Sequence, residues 1–581
     1  MFIAAGLQLD TINAERSRLN LTLEKPQNVP ASIAFATAAT GAFRGLVIDI
    51  LWLRAEKLKM EGQFFDAKQL AEWITILQPR FAAVWDFQAW NMAYNISVTM
   101  PATEPQERWR WVKNGYEMLR DKAIPLNPTN ISLYRSIALI FQQKIGGVTD
   151  DCHNYYKLQL ALEMAPLLGP ADNQYFKALA SATQDWEQVT ADANMSGLIS
   201  ALNNIDSKIF STRSAGEFVG SYLSLRQNPQ KYGDKTFEVI NKYRNSGAID
   251  NLDVFARAYQ LRNVMKLDPV VMDELNGIYG PVDWDDPNRH LPLEWRHPDT
   301  HALYWAYMGL KTTGRDFFSL ELAGTDRIIN HALQNLFRQG KIYIYSAPLP
   351  PQPGQEGKGQ TVDVVQAIYL RPDLRMFKPY NKSIIATLEI YKKLSEGTAE
   401  AMETGYKNML RNSFLTFYQT GHRKQAVELY GQLRNYFPAE ELKDSVDSYA
   451  REQFKQELVD IGINNIRGIV QGILQEAYFY YAMRDDDQAA VNEKLAREAY
   501  DLYFQMRVTK GSEIEQKRLG LPEFSRLKYF ALVDFFSDYQ YPDILKENLY
   551  RRIEIEKPDL YKELEEQRQQ VIKENQQQGG K

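Results

Sequence analysis

The stretch LWLRAEKLKMEGQFFDAKQLAEWITILQP, Leu51 to Pro79, decides how this chain is built. Leu51, Ala55 and Leu58 share one face of a first helix, and Gly62 falls at a turn. Ala67, Ala71 and Ile74 share one face of a second helix, which Pro79 closes. On a 34-residue helix–turn–helix template they occupy positions 4, 8, 11, 15, 20, 24, 27 and 32. Small residues at positions 8 and 20 let two helices approach closely, and larger ones on the same faces fill the groove between them. Glycine permits the bend and proline stops the helix. More than three hundred residues later, Leu410, Phe414, Phe417, Gly421, Ala426, Tyr430, Leu433 and Pro438 fall on the same eight positions. A hairpin of this kind cannot bury its apolar face alone. It stacks on others, and the stack presents a concave surface.

Outward from Pro79 the helical pattern is nearly continuous. Trp85, Ala89 and Met92 open a second unit, whose turn is lengthened by Met100–Gln106 and whose second helix runs from Arg108 to Leu119 or a little beyond. A third begins near Ile131 and closes through Tyr156, Leu158, Ala161 and Pro166. Pro79, Pro128 and Pro166 read as helix-closing, at spacings of 49 and 38 residues, so the units are degenerate in length. Beyond residue 170 the template fades, while helical spacing persists in Ala215–Leu225 and Leu252–Met265.

The region 267–380 differs in kind. It is rich in Pro, Trp and His, and its β-branched and aromatic runs Ile342–Tyr345 and Val364–Leu370 flank the turn-forming tract Pro348–Gln360. These runs predict a small β-hairpin near residues 340–370. Helices resume at Asn381 and continue through Asp444–Gly462, Ile463–Met483 and Gln488–Met506, with Asp485–Asp487 marking a turn or helix start. Pro558 to Lys581 reads as a charged capping helix with a frayed end.

At 581 residues the chain exceeds a single ordinary core, whereas an array has no such ceiling. A net charge of −5 and the lack of a basic run argue against nucleic acid as a partner. Cys152 is the only cysteine, which excludes an internal disulfide and any multi-cysteine metal site. Asp150 and Asp151 beside it disfavour a reactive thiolate. Met1 to Leu9 is apolar but about half the ~20 residues that span a bilayer. It reads as a frayed end or the remnant of an anchor, and Ala31–Trp52 as a buried repeat helix.

One cluster offers chemistry. Three of the six histidines, His290, His297 and His301, lie close together, with Asp283 and Asp299 as carboxylate neighbours. With Pro298 as the first helical residue, His297 is the N-cap and His301 lies one turn in. A metal centred on His297, His301 and Asp283 is one reading, although the pair lacks the glutamate of the zinc-peptidase motif. The competing reading has His301 and Trp305 packing against a preceding repeat while Arg296 pairs with Asp283. No phosphate-binding glycine loop, nucleophile elbow or kinase signature is present.

Phe43-Arg44-Gly45-Leu46, Leu51 to Ala55, Gln69 to Ile74 and Gln78 to Phe81 together resemble a family of uncharacterised bacterial tetratricopeptide-like proteins. So do Ala89 to Ser97 and Glu107 to Trp111, and the similarity returns at Trp295–Trp305. The resemblance implies a helical array tethered to a bacterial inner membrane by one N-terminal helix. It carries over no activity. In that family the Gly-Pro-x-Asp-Trp and His-Ala-x-Tyr-Trp elements run together, whereas here Asp285 to Glu294 separate them.

The expectation is thus an all-α protein, an α-solenoid of degenerate tetratricopeptide-like repeats with a small β-hairpin insertion. Residues 1–30 are a leader, 31–266 the N-terminal repeats, 267–380 a middle region, 381–557 the C-terminal repeats and 558–581 a tail. The expected function is a non-enzymatic scaffold without a cofactor, binding a protein, an extended peptide or a membrane complex at the cell envelope, with the cytoplasm as the alternative location. Polar positions turned toward the inner surface are the candidate contacts: Arg54, Lys57, Gln88, Asn91 and Asn95. A metal-dependent enzyme and a glycan-binding module that uses the many Trp and Tyr side chains are the other classes.

Overall fold

The computed structural model describes residues 44–314, 318–348, 364–419, 422–437, 445–446, 448–450, 453, 463–508, 522–537, 541 and 543–578. These residues are overwhelmingly helical. The chain forms two compact units, Met1–Leu336 and Phe337–Lys581, with the division inside the helix Leu320–Gln339.

The first unit opens on the decisive stretch. Helices α1 (Arg44–Met60) and α2 (Phe64–Leu77) pack on each other across a turn at Gly62, whose φ of 77° is left-handed and favours glycine. Ala55, Ala67 and Ala71 are fully buried where the helices meet, and Ile48, Ile74 and Leu77 complete the core. Helix α3 (Ala82–Trp90) packs on α2, on α4 (Pro105–Met118) and on α5 (Ile131–Leu139). Asn130 caps α5, its side chain accepting from the Ser132 amide.

Helix α6 (His153–Leu168) corrects one sequence expectation: Pro166 lies inside it, and the helix ends at Gly169, whose φ is 56°. The expected helices Ala215–Leu225 and Leu252–Met265 occur as Ala215–Gln227 and as Ala248–Gln260 continued to Met265.

Three successive helices of this unit leave α geometry where the sequence predicts none. Helix α3 passes into a π-helix at Asn91–Ile96, α4 at Leu119–Ala123 and α5 at Ile140–Ile145. The helix Pro298–Thr313, which the sequence sets apart in a middle region, packs on α5 and on its π extension. The approach is close: a Cβ on Gly309 would lie 2.8 Å from the Tyr134 Cβ.

In the second unit, β1 (Lys341–Pro348) and β2 (Val364–Arg371) pair antiparallel, with Ile342 opposite Leu370 and Ile344 opposite Ile368. Most of the proline-rich tract between them, residues 349–363, lies outside the described residues. The helices Phe377–Leu394, Glu396–Gln419 and Arg423–Tyr436 pack in succession. Leu410, Phe414, Phe417, Ala426, Tyr430 and Leu433 of the second template match are all buried there; Gly421 and Pro438 lie outside the described residues, as does most of Asp444–Gly462. A further core gathers around the helix Ile463–Ala482, against which Asp486–Val508, Phe524–Ser537 and Asp543–Arg551 pack. Pro558–Gln578 is the expected final helix.

Candidate partner-binding surface

Helix α1 carries apolar residues on two opposed faces. Ile48 and Ala55 are buried toward α2, with Leu51, Trp52 and Leu58 half-buried beside them. On the other side Leu46, Ile50, Leu53 and Met60 are 57%, 57%, 69% and 84% exposed. At 100° per residue these four and Lys57 form one stripe diametrically opposite the buried one. A helix that is apolar on both sides is ordinarily covered on both sides. Arg54 borders the stripe, exposed and without an ion pair among the described residues, and Lys57 stands on it, 3.8 Å from Glu61.

Of the five polar residues expected to meet a ligand, the structure therefore brings Arg54 and Lys57 to the surface. Gln88 and Asn91 are 2% and 0% exposed. Asn91 Nδ2 donates to the Phe64 carbonyl at 2.9 Å, and Asn95 Nδ2 donates to Asn91 Oδ1 at 3.0 Å. These amides tie the start of α2 to the π turn; Asn91 is closed off from solvent and Asn95 is half-buried. The physical reason is that α3 is packed by three other helices. The residues that sequence reasoning missed are Leu46, Ile50, Leu53 and Met60. With Lys57 among them their spacing alternates between four and three, which is legible in the sequence, but a buried face carries the same spacing.

The histidine cluster is assembled differently from a metal centre. Asp283 accepts from the Asp285 amide at 3.0 Å and pairs with Arg289. The expected pair with Arg296 is replaced, because Arg296 forks onto Glu294 at 2.7 and 2.5 Å. His297 Nδ1 accepts the Asp299 amide at 3.1 Å and so caps its helix. His301 Nε2 donates to the Trp295 carbonyl at 2.9 Å, and its ring stacks on Phe141 with centroids 4.9 Å apart. Each of these bonds occupies one ring nitrogen of its histidine. Among the described residues no group of three or more His, Cys, Asp or Glu side chains converges as metal ligands would. Instead His301 and Trp305 pack on α5 and its π extension, Trp305 lying 6.4 Å from the Tyr134 ring.

Beside that helix lie two buried ionic clusters. Asp150 accepts from Lys144 Nζ at 2.5 Å, the Cys152 amide at 2.9 Å, and Arg108 Nη1 and the Tyr156 hydroxyl, each at 3.2 Å. Burial works against its charge, but Lys144, the Cys152 amide and Arg108 outweigh it and hold the carboxyl below its ordinary value. Asp299 accepts from Asn335 Nδ2 at 2.9 Å. Burial pushes it up to about 7, against Asn335, Gln142 and Lys157. Burial likewise brings Lys157 down to about 8 and His301 down to about 4. Perturbed groups often mark a reactive centre. These are sealed: Asp299, Lys157 and His301 are 1%, 2% and 4% exposed, so no substrate reaches them. Their partners come from α4, α6, the π turn Ile140–Ile145 and the helices Pro298–Thr313 and Leu320–Gln339, which they lock together.

One open concavity, of about 700 Å³, lies between the end of α6 and the helices Asn173–Ser181 and Ala248–Gln260. Its cation, Arg257, is held by the Tyr175 hydroxyl at 2.5 Å and by Asp253 at 3.5 Å. Asp253 in turn takes both arms of Arg226 at 3.0 Å. The concavity presents no nucleophile beside a base. Of the ten tryptophans only Trp90 and Trp284 are exposed, and Trp90 stacks on Tyr94 at 3.9 Å. No family model matches this chain, and no curated protein does.

Proposed function

We propose that this protein is a non-enzymatic scaffold of tetratricopeptide-like helix hairpins, arranged as an α-solenoid, that holds another protein. The observation that carries the reading is the outer stripe of α1, where four large apolar side chains stand in water opposite the face that packs on α2. Contiguous exposed apolar surface on a folded helix marks a protein interface. The α1–α2 packing supports the repeat reading, with alanines at the closest approach and a left-handed glycine at the turn.

A bacterial inner-membrane location rests on the family resemblance. No described helix is long and apolar enough to cross a membrane. The scaffold needs no cofactor.

The test uses the full chain and the variant Ile50→Glu/Leu53→Glu as paired baits. A partner retained only by the unaltered chain is identified by mass spectrometry, purified and titrated against both. The variant weakens its binding at least tenfold while the melting temperature stays unchanged. Equal binding by the two baits, or metal-dependent turnover by the purified chain, overturns the reading.

A further inference from the structure

The residues of the α1 stripe succeed one another at intervals of four, three, four and three: Leu46, Ile50, Leu53, Lys57, Met60. That is the seam of a two-stranded coiled coil, with Leu46, Leu53 and Met60 at one core position and Ile50 and Lys57 at the other. Resting on the scaffold reading, we infer that the occupant of this stripe is a second copy of the same chain, its α1 lying parallel to the first.

The apolar residues set the strand number. A β-branched residue at the first core position with leucine at the second favours two parallel strands, and here Ile50 is followed by Leu53. Exposure agrees, because every seam residue stands in solvent and none is needed for packing on α2.

The charges choose the orientation. Asp49 lies on one edge of the stripe and Arg54 on the other, both exposed and neither in an ion pair among the described residues. In a parallel pair each edge meets the opposite edge of the partner helix five residues further on. Asp49 of one copy then faces Arg54 of the other, twice by symmetry. An antiparallel pair sets like edges together and loses both bridges.

The next such contact sets Glu56 against Glu61, and Lys57 lies between them in the seam. Its ammonium already leans toward Glu61 at 3.8 Å. A single lysine in a coiled-coil core weakens the assembly and fixes its register. With 17 residues in α1 the contact is small, so the dimer is weak and reversible.

The test is sedimentation velocity on the full chain from roughly 1 to 100 µM, a range suited to a small interface. The unaltered chain shifts from monomer toward dimer with concentration, and Ile50→Glu weakens association at least tenfold. Asp49→Arg and Arg54→Asp each weaken it at least threefold, and the two together restore it. Leu53→Cys crosslinks to itself under mild oxidation, since parallel seam residues meet their own copies; the native Cys152 is buried and does not compete.

A monomer at every concentration overturns the inference, as does a dimer indifferent to Ile50→Glu. So does a charge-reversed double variant no better than the singles, which removes the parallel pairing. Vesicle binding that Ile50→Glu abolishes, in a chain that stays monomeric, assigns the stripe to lipid and overturns it too. A monomer that still retains a different protein through Ile50 and Leu53 defeats self-association alone and leaves the scaffold reading standing.

Discussion

Gly309 and Tyr134 bring two helices from distant parts of the sequence into close contact, with only 2.8 Å between the tyrosine Cβ and the place a glycine Cβ would occupy. Nothing larger than hydrogen fits there without movement. Gly309→Ala therefore lowers stability by about 1–3 kcal/mol, the usual cost of overpacking. Gly431, inside the helix Arg423–Tyr436, has nothing within 4 Å of its absent Cβ. Gly431→Ala raises stability by about 0.5–1 kcal/mol through helix propensity alone. Urea unfolding of the two variants reads the opposite signs.

That contact also shows where sequence reading stops. Local periodicity places α1, α2, the turn at Gly62 and the helices of the second template match, because a hairpin is decided by residues a few positions apart. It puts His301 and Trp305 on one packed face but not on α5, more than 150 residues away, since nothing in a helix's own pattern names its neighbour. The π turns are invisible for a related reason: one extra residue leaves composition untouched and shows only in the phase of the residues beyond it. Arg54 and Lys57 stand on the surface of α1. Gln88 and Asn91 do not, because a template position assumes an open inner face that the crowding of α3 removes.

Asp150 joins two buried cations across three elements. Asp150→Ala leaves Arg108 and Lys144 in the interior without their carboxylate, and breaking such a group by removing one partner costs about 3–5 kcal/mol. Calorimetry of the full chain shows the loss as a lowered transition.

Asn91 and Arg54 respond in opposite ways. Asn91→Ala strips the Phe64 carbonyl of its donor and costs about 1–3 kcal/mol of stability, without touching a bound partner. Arg54→Ala stays within about 0.5 kcal/mol in stability, as surface changes do, and weakens association instead. Melting curves beside binding titrations separate the two.

The pH dependence turns on Asp299 and His301. Asp299 holds a proton up to about 7 in the fold against 3.8 for the free group, so the native state binds the extra proton between those values. Its contribution to stability accordingly falls as pH rises through that window and is constant above it. His301, brought down to about 4 from 6.5, acts in the other direction: stability is lost as pH drops from 6.5 toward 4. Asp299→Asn keeps the shape and removes the first effect. The variant melts above the unaltered chain at pH 8 and converges with it near pH 4. Equal melting temperatures at pH 8 would show that Asp299 bears no cost when ionised.

The π turns that extend α3, α4 and α5 have a consequence for chain length. Each stores one residue more than an α-helix along the same path requires. A single-residue deletion inside Asn91–Ile96 can be absorbed by reverting that turn to α geometry, which leaves the side chains beyond it on the faces they already occupy. In this unit, room for a deletion therefore exists inside helices and not only in the loops between them.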